Sequence, residues 1–247
     1  ELAVILPNNP LFYSGINPCL ECGFCQSVRR DKIGAVARDK RLMPELTRMP
    51  EANVYHAYGI YLLHRQHRLI RRLMRVYEPT VHGHKLWRAS FLLMDYLQSH
   101  PPHKGSKIME IGCGWGSASV FCAKRFGADV TGVDADRDIF PFMDVIAALN
   151  SVKIRPHRTR YEKLTARCLG DQDLIIGSDV CFWDDLIKPV RNLIARALRG
   201  GTKRIVIADP GRPTFYELAD QCAKRWDVTL KEWYAVEPSR TTGEVLE

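Results

Sequence analysis

The chain lacks any long apolar run. Its longest hydrophobic stretches are strand-sized, well short of the roughly 20 residues that cross a bilayer, so no membrane span is expected. It begins ELAVILPNNP, without a methionine, and the short LAVIL run has no basic segment ahead of it, so it does not read as a secretory signal. No internal repeat or low-complexity tract is evident, which leaves out repeat architectures. The eight cysteines are dispersed, several inside expected strands or helices, which points to reduced thiols in a reducing, cytoplasmic compartment. With 46% hydrophobic and 26% charged residues, the 247-residue chain has room for one α/β domain plus an extension, or one large domain.

Positive charge is in excess. The net charge is +8, and the surplus lies in the first third, at Arg29, Arg30, Lys32, Arg38, Lys40, Arg41, Arg48, Arg65, Arg68, Arg71, Arg72 and Arg75. Such a patch can bind nucleic acid or an acidic protein surface, or serve as a solvated helix face. The aromatic and basic interleaving of single-strand binding modules is missing.

The stretch 107–134 organises the rest. Ile108, Met109 and Ile111 make a short apolar run that carries Glu110 and ends in three alternate glycines, Gly112, Gly114 and Gly116. A small-residue helix pattern follows, then a second run (Val130, Val133) ending in Asp134. This is strand, glycine turn, helix, strand, half of a nucleotide-binding α/β unit. The glycines permit a sharp turn and close approach of a ligand to the main chain. Asp134, about 20 residues on, can accept hydrogen bonds from ribose hydroxyls. The third glycine comes one residue earlier than in the dinucleotide fingerprint, and Glu110 precedes the turn. The pattern E-x-G-x-G-x-G resembles motif I of the class I S-adenosylmethionine (SAM)-dependent methyltransferases. SAM has no phosphates and carries a sulfonium and an ammonium, which suits an acid at Glu110.

Around this unit the chain reads as follows. Residues 1–50 are irregular and proline-rich, with Cys19, Cys22 and Cys25 at equal spacing. Such cysteines can hold zinc when a fourth ligand exists, for which His56 or a partner would be needed; otherwise they form a reduced loop. Residues 51–77 have helical spacing with arginines on one face and His64 and His67 on its surface, so the N-terminal extension is expected to be helical. Residues 85–99 form an amphipathic helix carrying Trp87, which would pack beside the glycine turn or in the core. A helix is expected over 137–149, a third strand over 151–155, and an adenine-facing loop at Arg160, Tyr161 and Glu162. The fourth strand, 171–177, leads into Ser178, Asp179, Phe182 and Trp183, at the strand ends where ligands sit in open α/β sheets. Asp179 can contact the acceptor or cap the following helix. Helices over 185–199 and 214–225 flank a fifth strand at 204–208, a sixth is expected over 228–236, and GEVLE at 243–247 looks like the start of a seventh.

Residues 79–247 resemble the seven-β-strand protein lysine methyltransferases, relatives of the electron-transfer-flavoprotein β-subunit enzyme. Three segments carry the resemblance: HGHKLWRASFLLMDYL before the first strand, Asp179-Val-Cys-Phe182 after the fourth, and Ala208-Asp-Pro-Gly-Arg212 after the fifth. It implies a Rossmann-like α/β sheet over 79–247 behind an extension at 1–78, SAM as cofactor and a protein substrate. It further implies cofactor contacts at Glu110, Gly112, Gly114, Gly116, Asp134, Trp87, Tyr161 and Ser178, and acceptor contacts at Asp179, Phe182 and Trp183. Phe182 stands where tyrosine is common, which removes a hydroxyl from the acceptor site. An N-P-P-[YF] segment is missing, which argues against adenine methylation. A small-molecule or RNA methyltransferase, and a non-catalytic assembly subunit using the N-terminal segment as a docking arm, are the competing readings.

Overall fold

Seven strands form one sheet in the order β5-β4-β3-β6-β7-β9-β8. They are β3 (Lys107–Ile111), β4 (Asp129–Asp134), β5 (Arg155–Arg158), β6 (Leu174–Ser178), β7 (Arg204–Asp209), β8 (Leu230–Ala235) and β9 (Thr241–Leu246). The computed structural model describes residues 52–80, 83 and 85–247. Strands β5, β4, β3, β6 and β7 are parallel, and β9 enters antiparallel between β7 and β8. The order reverses beside β3, leaving a crevice at the carboxyl ends of β3 and β6. This is the Rossmann-like α/β sheet expected from the glycine unit.

Central strands such as Leu174–Ser178 are apolar along their length because helices cover both faces. One face takes α2 (Ala89–Ser99), α3 (Ser117–Phe126) and α4 (Phe140–Leu149); the other takes α5 (Ala166–Gly170), α6 (Asp184–Gly200) and α7 (Pro213–Ala223). The third strand starts later than 151–155. Ser151, with φ of 58°, and the cap at Asn150 finish α4, and the chain regains extension only at Arg155.

The expected helix over 51–77 is largely a hairpin. Val54–Ala57 (β1) pairs antiparallel with Ile60–Leu63 (β2), and only Arg68–Leu73 (α1) is helical. Tyr58 and Gly59 form a two-residue turn with φ of 52° and 76°, both left-handed, as tight hairpins require. Tyr55, Tyr58 and Tyr61 lie three apart and imitate helical spacing. The competing signal was the aromatic and β-branched content of VYHAYGIYLL around a glycine.

This hairpin shares the core of the sheet. Ile60, Leu62 and Leu63 are buried in it, and Asn150 clasps β2 by accepting from the Tyr61 N–H at 2.8 Å and donating to the Tyr61 carbonyl at 2.7 Å. Packing therefore continues across the boundary expected at residue 78. Asp95 of α2 accepts from the Tyr58 hydroxyl at 2.8 Å and from Trp233 Nε1–H at 3.0 Å, tying hairpin, helix and β8 together. Asp95→Ala strands both donors and should cost about 1–3 kcal/mol, the price of unsatisfied partners, whereas Tyr58→Phe should cost about 1 kcal/mol. Urea unfolding midpoints at constant m-value check the ranking.

Candidate functional site

β3 ends at Ile111, and the chain turns through Gly112, Gly114 and Gly116 with φ of 61°, 50° and 71°. A Cβ on Gly116 would lie 2.5 Å from Met143 Cγ, and one on Gly112 would lie 2.9 Å from Tyr161 Oη and 3.0 Å from Val180 Cγ1. Packing forbids side chains at both. At Gly114 a Cβ would meet nothing within 4 Å, so here the main chain borders open space that a ligand can enter.

Glu110 is not a solvated strand end. It is 1% exposed, and its Oε2 accepts from the Ser119 backbone N–H at 2.8 Å and from the Ser119 hydroxyl at 2.5 Å. Ser119 is the third residue of α3, whose cap, Gly116, has no side chain to offer. Glu110 does from β3 what an N-cap side chain does, with its charge at the positive end of the helix. Burial pushes its carboxyl up to about 7; the two Ser119 bonds pull it down, and Asp134 nearby adds to the rise.

Asp134, at the end of β4, lies against the same turn. Its Oδ2 accepts from the Gly114 N–H at 3.1 Å and its Oδ1 from the Asp136 N–H at 3.0 Å. Burial raises its carboxyl above the ordinary range, against the lowering by those N–H groups. Asp136, which sequence reasoning missed, accepts from the Thr80 N–H at 2.6 Å and the Thr80 hydroxyl at 2.9 Å. Burial opposes its ionisation, but the bonds from Thr80 and Asp138 prevail and lower its carboxyl. Trp115 stacks on Phe142 at 5.3 Å and donates from Nε1–H to the Gly83 carbonyl at 2.8 Å. The segment ahead of α2 is thus pinned to the rim of the turn at two points.

The loop after β5 brings Tyr161 against Gly112. Arg196 of α6 fixes this loop, donating from Nε to the Leu164 carbonyl at 2.9 Å and from Nη2 to the Tyr161 carbonyl at 2.6 Å. Of the three loop residues named from sequence, Tyr161 contacts the turn, at Gly112. Burial raises its phenol well above the ordinary range.

Ser178, the last residue of β6, is half-buried, and Asp179 just beyond it has φ of 61°, a left-handed conformation rare outside glycine. Asp179 is not the cap of α6: that position is Trp183. The Asp179 carboxylate instead accepts from Arg212 Nη1, which also donates to Asp209 Oδ2 at 2.9 Å. Asp209 is fully buried and accepts the Gly211 and Arg212 backbone N–H groups, both at 2.9 Å, so it holds Arg212 at both ends. Asp209 and Arg212 lie in the Ala208–Arg212 segment, to which sequence reasoning gives no site role. The signal was the Asp-Pro-Gly-Arg spacing, in which an aspartate side chain bonds the backbone two and three residues on. Phe182 and Trp183 stand together at the mouth, edge to face at 4.7 Å, with Trp183 51% exposed.

Gly112 touches Val180, so the glycine turn and the segment after β6 meet; these are the two clusters the sequence pointed to. Trp87 lies just before α2, with Lys85 Nζ 4.1 Å above its ring. Cys19, Cys22 and Cys25 lie outside the described residues. Among the described residues no group of His, Cys, Asp and Glu is disposed to hold a metal ion, and no helix is long and apolar enough to cross a membrane.

Residues 74–215, more than half of the chain, match a family described as lysine methyltransferase. The chain belongs to this family. It is 25% identical over 130 residues to the electron transfer flavoprotein beta subunit lysine methyltransferase of Xenopus laevis, covering 52% of each chain. It is 30% identical over 101 residues to the ubiquinone biosynthesis O-methyltransferase of Ralstonia nicotianae, covering 41% of this chain and 42% of that one. The chain therefore spans about half the length of the curated relatives it matches. Among solved structures, magnesium protoporphyrin IX methyltransferase from Synechocystis PCC 6803, with bound SAM, superposes with a TM-score of 0.50 at 14% identity, covering 73% of this chain and 83% of that one. That likeness is one of fold.

The glycines separate two effects. Gly116→Ala should destabilise the fold by about 2 kcal/mol or more, from backbone strain and the clash with Met143. Gly114→Ala should cost about 1 kcal/mol in strain yet abolish binding of S-adenosylhomocysteine, because its methyl group fills the open approach. Thermal unfolding and calorimetric titration check the pair.

Glu110 gives a pH signature. A carboxyl raised from the ordinary 4.5 to about 7 binds its proton more tightly in the folded chain than in the unfolded one. Its contribution to stability is full below pH 4.5, falls as pH rises toward 7, and is gone above that. The span is on the order of 3 kcal/mol. Glu110→Gln should flatten this part of the stability profile, measured by urea unfolding from pH 4.5 to 8.

Proposed function

We propose that this chain is a SAM-dependent methyltransferase acting on the amine of a protein lysine. The observation that carries the reading is the meeting of the open glycine turn and Asp134 with the Asp179–Arg212 pair at neighbouring strand ends. The family description and the X. laevis relative support the lysine acceptor.

The residues present fit the cofactor. The backbone at Gly112 and Gly114 would border its methionine portion, Asp134 would accept from the ribose hydroxyls, and Tyr161 and Ser178 would line the adenine side. Glu110 acts from beneath by holding α3 and the turn in place, and its charge favours an ammonium above it. When bound, SAM supplies a methyl group already activated by a sulfonium, so the protein's task is positioning and charge environment. A lysine amine, with a free pKa near ~10.4, must lose a proton before it can attack. Phe182 and Trp183 exclude water from the entering side chain, which favours its neutral form, and their rings attract the cation on its way in. The Asp179 carboxylate, aimed by Arg212, accepts a hydrogen bond from the amine and orients its lone pair.

The relation to an O-methyltransferase raises a phenolic acceptor as a second reading. Two carboxylates sharing one guanidinium leave a surplus negative charge that suits a cationic amine better than a phenolate.

Incubating the purified chain and tritiated SAM with cell lysate should label protein, and acid hydrolysis should return the label as methylated lysine. Asp179→Asn should lower the rate about 100-fold, in the range for loss of a positioned acid or base, while S-adenosylhomocysteine affinity stays within about twofold of wild type. Label found only in the small-molecule fraction would refute the lysine reading.

A further inference from the structure

The strand register sets three carboxylates in a line across the sheet. Asp209 of β7 is the partner of Glu244 of β9, and Glu244 is the partner of Glu232 of β8. Partners across antiparallel strands share a face, and like charges placed directly opposite are unfavourable. At the inner end Arg212 answers the charge, bridging Asp209 to Asp179. At the outer end Glu244 accepts from the Tyr216 hydroxyl at 2.9 Å, and among the described residues neither Glu244 nor Glu232 has a salt-bridge partner. Tyr216 registers the local field: its phenol is raised first by the bond to Glu244, then by desolvation and by the charges of Glu244, Glu232 and Asp209.

Only the outer, β8 edge of the sheet face carrying this row is open: on the same face Asp209 and Leu246 are buried, Leu246 in the cluster that holds Phe215 and Leu218 of α7. Helix α2 packs on the other face, which buries Ala235, Thr241 and Val245. Helix α7 packs on α6, so the alternate residues Leu230, Glu232 and Tyr234, with Val236 just beyond, face outward. Tyr234 and Val236 are 60% and 61% exposed. Two exposed tyrosines and two apolar side chains thus surround the Glu232–Glu244 pair, with Arg240 of the same chain 6.0 Å from the Tyr234 ring, and the row leads inward through buried Asp209 to Arg212 and Asp179. This occurs on a chain whose net charge is +8, so the acidity is local to this face.

We propose that this face is the docking surface for an extended, lysine- or arginine-bearing segment of the methyl-accepting protein. The proposal rests on the lysine-methyltransferase reading and adds how the acceptor is recognised. Cationic side chains flanking the target lysine would relieve the Glu232–Glu244 repulsion. Their stems would pack on Leu230 and Val236, and a charge would lie over the Tyr216 ring, the Tyr234 ring being already met by Arg240. Charge complementarity selects this occupant: a nucleic acid would be repelled by the row.

The test uses the full chain saturated with S-adenosylhomocysteine and a fluorescent hexalysine probe, read by anisotropy at low and moderate salt. Hexalysine should bind the wild type and bind Glu232→Gln/Glu244→Gln about fivefold more weakly, as expected for two exposed charge pairs. The loss should shrink at higher salt, and S-adenosylhomocysteine affinity, which monitors the fold, should not change. Any hexaglutamate binding, expected at the basic first third, should be the same in the wild type and the double variant. The proposal is overturned by a wild type that does not bind hexalysine, or by unchanged hexalysine affinity in the double variant. It is also overturned if the variant changes only self-association in sedimentation, which would make the face a contact between copies. A wild type that binds hexalysine but methylates no lysate protein would count against the enzymatic reading and not against the surface.

Discussion

The contact between the Glu110 carboxylate and Ser119 links the central strand to the helix that follows it. Everything at the cofactor end depends on how β3 passes into α3 through a turn that contains three glycines and offers no capping side chain. The turn needs left-handed backbone at all three positions, so its conformation must be held from outside itself. Glu110 does this by bonding the third residue of α3, at the cost of keeping a carboxylate out of water. The same acid therefore ties the stability of the fold to the geometry of the glycine turn.

The other half of the site is built on a different principle. Asp209 holds Arg212 by its backbone and its guanidinium, and Arg212 then holds Asp179. A fully buried carboxylate thus orients a second, nearly buried one through one shared cation, with the left-handed Asp179 backbone turning that side chain toward its partner. Strain of this kind persists only where surrounding contacts over-determine it. Phe182 and Trp183, edge to face, add aromatic surface a few residues beyond Asp179.

Much of the fold was legible because its signals are local. The glycine spacing, Glu110 and Asp134 lie within 25 residues of one another in sequence, and the apolar runs of β3, β6 and β7 stand out against polar turns. The hairpin at 54–63 is hidden because three tyrosines at helical spacing outweigh one Tyr-Gly turn; its second strand is stabilised by packing on α3 and α4, which sequence spacing does not report. The third strand was placed too early because Ser151 and Asn150, which end α4, look like ordinary strand-edge residues.

The sequence by itself determined the nucleotide-binding unit, the parallel sheet and the family, because each rests on residue types at short fixed intervals that only certain backbone geometries accept. Tertiary structure decided what the acids do. Whether Glu110 meets solvent or α3, whether Asp179 caps a helix or pairs with Arg212, and whether Asp209, Glu244 and Glu232 stand in one row all depend on which strands become neighbours and in what register. Strand neighbours are chosen by the packing of the whole sheet between its helices, and that choice is not written at any single position.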